Sequence, residues 1–269
     1  MTLRELLGRA FTAAAPAPAA KAPAPSQRRC DEESLGRELL GLDWGLGLFR
    51  WVHLEDASTM AAPVSTAISF GSGEGLHEAF LARTRPEVSV LGVDLRQSNL
   101  VDLPGNARFL SGDLLDAKFR LELPRADFVF SIECLEHIED DFTVARSMAD
   151  CLQPGGHFYL QVPFANRSEQ ADPALCENER KCFSHVRPGY DENDLRDLAH
   201  RLDLDVVFVA GAFWSPLQPV IWAAVEKFGS GLAPSWRAIL DLARLDLRAG
   251  LPANRSEAIA IKMLARKPA

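Results

Sequence analysis

Glu133, Glu136 and His137 carry the most chemical promise in the chain, in the run Ala126-Asp-Phe-Val-Phe-Ser-Ile-Glu-Cys-Leu-Glu-His-Ile138. If a helix starts after the apolar stretch, their i, i+3, i+4 spacing puts all three on one face. Two carboxylates and an imidazole so grouped can hold a divalent cation. Without a metal, His137 offers a general base, as does His185 in Phe-Ser-His-Val-Arg-Pro-Gly-Tyr190, because imidazole titrates closest to neutral pH. A third use is structural, with Glu136 and His137 only orienting the local backbone. The residues alone leave these three uses open.

A second stretch, Ala67-Ile-Ser-Phe-Gly-Ser-Gly-Glu-Gly-Leu76, is an apolar run that breaks into alternate glycines. Glycine accepts positive φ and has no Cβ, so backbone at Gly71, Gly73 and Gly75 can approach a ligand closely. The following His-Glu-Ala-Phe-Leu-Ala reads as a helix start, which makes the context strand, loop, helix. A dinucleotide fingerprint would want a small residue where Leu76 stands, and a P-loop would want a Lys and a Ser/Thr. Further on, two apolar runs each end in one carboxylate, at Asp94 and Asp113.

This series resembles the class I S-adenosylmethionine-dependent methyltransferases. The resemblance implies a cofactor site of Gly71, Ser72, Gly73 and Gly75, with Asp94 accepting from the ribose hydroxyls and Leu95 beside it. It further implies Asp113 near the adenine amino group, Leu114 packed on the ring, and Ser131 at the end of the fourth strand. Gln153-Pro-Gly-Gly156 matches the family's usual turn into the fifth strand. One departure is Ser69, which stands where the family usually carries an acidic residue two positions before the first glycine. The Glu-x-x-Glu-His pattern is similar to two metal-dependent branches, the O-methyltransferases of ubiquinone biosynthesis and the 2′-O-methyltransferases of small-RNA 3′ ends. Both use a further ligand after the fifth strand, and by position His185 is its counterpart. Such a set of Glu133, Glu136, His137 and His185 would suit Mg²⁺, Mn²⁺, Fe²⁺ or Zn²⁺.

The elements that must position these residues alternate strand and helix patterns. Strands are expected at Thr66–Phe70, Val88–Val93, Ala107–Leu110, Phe128–Ile132, His157–Val162, Leu204–Val209 and Ala258–Leu264, with helices such as Leu76–Thr84, Asp141–Cys151 and Asp191–Arg201. This predicts a doubly wound, mostly parallel α/β sheet of Rossmann-like type, with ligands beyond the carboxyl ends of its strands. The organisation expected is an Ala/Pro-rich disordered leader over 1–30, an N-terminal helical cap over 31–65, and a methyltransferase core over 66–213. A helical insertion or lid follows over 214–256, with helices Leu217–Phe228 and Ser235–Arg248, and then the last strand and tail over 257–269. Pro163 to Tyr190 reads as a long polar loop.

The chain has 269 residues and a formal net charge of −8, which disfavours a broad phosphate-binding surface. Arg180 and Lys181 form the one adjacent basic pair in the long loop, behind Glu177 and Glu179, so a nucleic-acid substrate is not expected. Five irregularly spaced cysteines fit a reducing cytoplasm rather than a disulfide framework. Trp214, Trp222, Phe228 and Trp236 give the insertion an apolar character, suited to covering an apolar acceptor or to touching a membrane surface. The expected activity is O-methylation of a small, hydroxylated, apolar or lipid-like molecule. Its rivals are a catalytically degenerate methyltransferase fold that only binds, an RNA 2′-O-methyltransferase, and a dinucleotide-dependent oxidoreductase. The last is disfavoured by Leu76 and by the lack of a catalytic Tyr-x-x-x-Lys pair.

Overall fold

The computed structural model describes residues 46–96, 103–214, 235–250 and 258–269. The chain opens with α1 (Leu46–Met60), β1 (Thr66–Phe70), α2 (Leu76–Thr84), β2 (Ser89–Asp94), β3 (Ala107–Ser111), α3 (Ala117–Leu121) and β4 (Ala126–Ile132). A 3₁₀ turn (Leu135–His137), α4 (Asp141–Asp150), β5 (Leu152–Pro163), α5 (Arg167–Gln170), α6 (Pro173–Phe183) and α7 (Glu192–Arg201) follow. The described chain closes with β6 (Asp205–Trp214), α8 (Ser235–Ala249) and β7 (Ala258–Arg266).

The seven strands form one sheet in the order β3-β2-β1-β4-β5-β7-β6. Strands β1 to β5 pair in parallel, and β7 lies antiparallel between β5 and β6. Parallel strands are covered on both faces, which is why they read as nearly continuous apolar runs. The two-residue period still sorts them: Phe128 and Phe130 of β4 join a layer with Phe49 of α1, Phe80 of α2 and Ile239 of α8. Val129 of the same strand faces Val144 and Met148 of α4 and Leu195 of α7, and Ala126 joins that side because the register with β5 shifts between Ala126 and Phe128. Asp127 ties the starts of β1 and β4 together, its Oδ2 accepting from the backbone and hydroxyls of Ser65 and Thr66 at 2.7–3.0 Å.

Strand β1 and helix α2 coincide with the expected ranges, and the other expected strands lie within a few residues of their places. Two expectations are corrected. The stretch from Pro163 to Tyr190 is not one loop but holds α5 and α6. Asn166 and Glu169 make a reciprocal capping box at α5, and Asp172 caps α6 with Pro173 in its first turn. Neither helix fully buries a residue, so no apolar stripe marked them.

The second correction concerns the run from Glu133 to His137. Glu133 does not begin a helix: its φ is 52°, and its N–H donates to the Gln161 carbonyl at 2.9 Å, prolonging the pairing of β4 with β5. Only Leu135–His137 coil, in the 3₁₀ turn, so Glu133 does not share a helical face with Glu136 and His137.

Of the expected insertion, α8 is described, and Ile239, Leu240 and Ala243 pack it into the core with α1. Leu217–Phe228, the leader and residues 31–45 lie outside the described residues. Among the described residues no helix is long and apolar enough to cross a membrane. The four described cysteines, at 134, 151, 176 and 182, are free thiols.

The glycine loop depends on residue type at two levels. Gly75 has φ 83°, and a Cβ there would come within 2.2 Å of the Phe109 ring. Gly73, at φ 54°, would meet nothing within 4 Å. Gly75→Ala should therefore destabilise by about 2–4 kcal/mol from left-handed backbone and overpacking, against about 1–2 kcal/mol for Gly73→Ala. Denaturant unfolding of the two variants side by side checks the order.

Candidate functional site

A cavity of about 830 Å³ opens beyond the carboxyl ends of β1 and β4, where the strand order reverses direction. Four groups of residues build its wall. The glycine loop from Gly71 to Gly75 forms one side, and Glu133, Glu136 and His137 after β4 form another. His185 with Glu179 and Phe183 closes a third, and Leu46 and Arg50 of α1 with Phe213, Ile259 and Ala260 close the fourth.

The loop is held by its own sheet. Gly71 and Ser72 donate their N–H groups to the Val93 carbonyl at 2.9 and 3.2 Å, and Gly73 donates to Asp94 Oδ2 at 2.7 Å. The Arg96 N–H donates to the other oxygen of Asp94 at 2.9 Å. Asp94 thus braces the loop, and each of its oxygens retains a second lone pair for ligand hydroxyls. Leu95 is 69% exposed and Asp113 is exposed, its Oδ1 accepting from Leu115 N at 2.8 Å, while Leu114 is buried. Asp94, Leu95, Asp113 and Leu114 are not among the residues that line the cavity. Ser131 is fully buried, and its hydroxyl donates to the Phe70 carbonyl at 2.9 Å, so it joins β4 to β1 instead of facing the cavity.

Glu136, His137 and His185 each bring a ligand-capable atom into one cluster, all within 4.8 Å of one another. The two imidazoles come together because Arg187 staples the segment after α6 to the segment after β4. Its guanidinium donates to the Ile138 and Glu139 carbonyls at 2.8 and 3.0 Å and pairs with Asp141, which also accepts from Tyr190 Oη at 2.8 Å. His185 Nδ1 bonds Glu179 Oε2 at 2.9 Å, and His137 Nδ1 bonds the Ser184 carbonyl at 3.3 Å. Each ring thereby presents Nε2 as its remaining nitrogen, and His137 Nε2 lies 3.9 Å from Glu136 Oε1. Burial, then the neighbouring His137, push the His185 pKa down to about 4, so that ring is neutral at physiological pH.

Glu136 is the anomaly of the site. Its side chain is fully buried, and neither carboxylate oxygen has a hydrogen-bond partner. Burial first, then the charge of Glu133, raise its pKa well above the usual carboxylate range. Glu133 stands apart from the cluster in an ion pair with Arg50 at 3.2 Å.

Three participants were not legible in the sequence as site residues. Arg50 sits on α1, which read only as a cap. Glu179 lies on α6, within a stretch that read as a loop. Glu78 of α2 is buried to 2% exposure against the base of the glycine loop, with a hydroxyl hydrogen bond from Ser69. A glutamate in a first helical turn is common, so its burial was the missing signal.

A comparison with curated protein sequences found no match. Among solved structures the chain is similar to a protein from Galdieria sulphuraria, provisionally described as a sarcosine dimethylglycine methyltransferase. The two share 20% identity over 83% of this chain and 86% of that one, with a TM-score of 0.56. It is also similar to phosphoethanolamine N-methyltransferase 2 of Haemonchus contortus in complex with S-adenosyl-L-methionine. There the identity is 14%, over 87% of this chain and 60% of that one, with a TM-score of 0.53. An O-methyltransferase family protein from Burkholderia thailandensis matches with 15% identity over 84% of this chain and 58% of that one, with a TM-score of 0.50. At these identities the likeness is one of fold, and in the last two cases the chain spans about three fifths of its neighbour. Residues 46–209 match a family profile described as a methyltransferase domain. That match covers more than half of the sequence and takes in the glycine loop, the run from Glu133 to His137 and His185, so the chain belongs to the methyltransferase domain family and is an S-adenosylmethionine-dependent methyltransferase of the Rossmann-like class I fold.

Proposed function

We propose that this enzyme O-methylates a small hydroxylated acceptor with an apolar body, assisted by a divalent cation held by Glu136, His137 and His185. The observation that carries the reading is the Glu136 carboxylate, buried without a hydrogen-bond partner beside two imidazoles. A buried carboxylate without a partner costs several kcal/mol, roughly, unless it is neutralised or coordinates a metal. The donor set fits a cation well: one carboxylate oxygen and two imidazole nitrogens leave open positions for a substrate oxygen. The Nδ1 bonds of His137 and His185 fix the ring orientations from outside, as supporting partners of metal-ligating histidines usually do.

When bound, a divalent cation would supply Lewis acidity, lowering the pKa of an acceptor hydroxyl near it. The chain's own residues do the rest. The glycine loop and Asp94 would hold the donor, whose sulfonium already activates the methyl group, so that alignment with the acceptor is the main remaining requirement. Arg50 keeps Glu133 in an ion pair beside the cluster, which restrains the excess negative charge there. Leu46, Ile132, Phe164, Phe183, Phe213 and Ile259 give the acceptor an apolar surround. A neutral ring with a pKa near 4 is a poor general base at neutral pH but already the ligand form of imidazole, which favours the cation reading over His185 acting as base.

The test is methyl transfer from S-adenosylmethionine to a panel of hydroxylated apolar compounds, before and after chelation. Turnover should fall at least tenfold with chelator and return on adding Mn²⁺, Zn²⁺ or Mg²⁺. Undiminished turnover in the chelated enzyme would end the cation reading.

A further inference from the structure

Glu78 is a second buried carboxylate facing the same cavity, and the chemistry of the acceptor site does not use it. It stands at the start of α2 with 2% exposure. The Ser69 hydroxyl bonds to it from β1, and Oε2 has no hydrogen-bond partner. The charged neighbour it feels is Asp94 of β2, which is also acidic, and no basic side chain among the described residues offsets its burial. Burial first, with a smaller push from Asp94, raises its pKa to about 7. An orphaned acceptor oxygen in an acidic corner of a ligand cavity is suited to a cationic group that can donate hydrogen bonds.

S-adenosylmethionine carries two positive centres, and they differ in this respect. The sulfonium has no proton to donate, whereas the α-ammonium of the methionyl part has three N–H donors. We propose that Glu78 receives the α-ammonium group of the cofactor's methionyl moiety, with Ser69 orienting the carboxylate. The chain thus presents its anion from the helix after the glycine loop rather than from the strand before it, where Ser69 stands. The inference rests on the cofactor assignment but is independent of the cation site.

Two ligands separate the possibilities. S-adenosylhomocysteine has the nucleoside and the amino-acid part, while 5′-methylthioadenosine has the nucleoside and thioether alone. Calorimetric titration of the full chain with both, wild type against Glu78→Gln, should show S-adenosylhomocysteine weakened about 10- to 100-fold, as expected for losing a hydrogen bond to a charged group. Binding of 5′-methylthioadenosine should stay within about twofold of wild type, since that ligand lacks the ammonium.

The wild-type protein supplies a second readout that needs no variant. The ammonium, next to its own carboxylate, stays protonated through pH 8, while Glu78 ionises across the range. Affinity for S-adenosylhomocysteine should therefore rise about tenfold from pH 6 to pH 8, and affinity for 5′-methylthioadenosine should stay level. Equal weakening of both ligands in Glu78→Gln would assign Glu78 to the nucleoside and overturn the proposal. So would unchanged S-adenosylhomocysteine binding in the variant, or a level pH profile in the wild type. Failure of either ligand to bind the wild type would instead overturn the cofactor assignment, and this proposal with it.

Discussion

Glu136→Met is expected to abolish methyl transfer while raising the melting temperature. Removing the one carboxylate of the cluster should lower turnover by about 10²- to 10⁴-fold, the range over which positioned acid–base and polarising groups act. The same substitution replaces a fully buried carboxylate, both of whose oxygens are without hydrogen-bond partners, by an apolar chain of similar length. Relief of that desolvation should stabilise the metal-free protein by about 1–3 kcal/mol. For a chain of this size that corresponds to a rise of roughly 2–10 °C. Opposite signs in the two readouts are the mark of a residue kept for function. If thermal unfolding shifted downwards and turnover survived, Glu136 would be a structural residue and the site assignment would fail.

The second large effect concerns stability, at the seam between α1, α8 and the sheet. His53 Nε2 lies 2.9 Å from Asp246 Oδ2, which also accepts from the Phe213 N–H at 3.0 Å, and Lys262 Nζ lies 2.6 Å from His53 Nδ1. All three side chains are at most 5% exposed. Geometry fixes the protonation: Lys262 donates to Nδ1, so Nε2–H donates to the carboxylate and the ring is neutral. Burial, the largest influence, together with the charge of Lys262 keeps the His53 pKa below its usual value against the pull of Asp246. The result is a buried cation–imidazole–anion chain with no net charge.

Asp246→Ala breaks it and leaves the buried ammonium with only the charge of Asp56 to offset its burial, and should cost about 3–5 kcal/mol. The loss should depend on pH. In the wild type, burial already lowers the Lys262 pKa to about 8. Without Asp246 it falls further, so below pH 8 the unfolded variant binds a proton that its folded form has lost. Variant stability then rises with pH while the wild type gains nothing from this lysine, and the deficit narrows as pH approaches 8. Replacing the whole chain, by His53→Leu, Asp246→Leu and Lys262→Met together, should restore most of the stability, since no charge is left buried. Denaturant unfolding of the single and triple variants at pH 6 and 8 reads all of this. A single variant as stable as wild type would mean that the network contributes nothing.

The network also bears on the site. Phe213 lines the cavity and takes its backbone anchor from Asp246, and Lys262 follows Ile259 and Ala260 on the strand that forms the same wall. The fourth wall of the cavity is therefore only as firm as the seam behind it.

The sequence by itself determined the sheet and the loop at its heart. Apolar runs such as Thr66–Phe70 and Val90–Val93 have no polar alternation, which in strands of this length requires cover on both faces and hence parallel pairing with crossover helices. The glycines at 71, 73 and 75 and the carboxylate of Asp94 were legible because backbone conformation and a short strand-to-loop span are local properties. The observed bond from Gly73 to Asp94 follows from those two features being on neighbouring strands. Glu136, His137 and His185 were legible as chemically capable types.

Tertiary structure alone decided which of these meet, and in what state. The helix expected from Glu133 onward gives way to left-handed backbone at Glu133, whose N–H continues the pairing with β5 through the Gln161 carbonyl. A non-local partner thereby overrode the local i, i+3, i+4 pattern and set Glu133 against Arg50. His185 reaches His137 through the Arg187 staple and the Val186 N–H bond to the Glu136 carbonyl, which connect segments that are close in space but distant along the chain. The orphaned oxygens of Glu136 and Glu78 are invisible in sequence for the same reason. Burial and missing partners are properties of the surroundings, and a glutamate in a sequence looks the same whether water or the protein interior surrounds it.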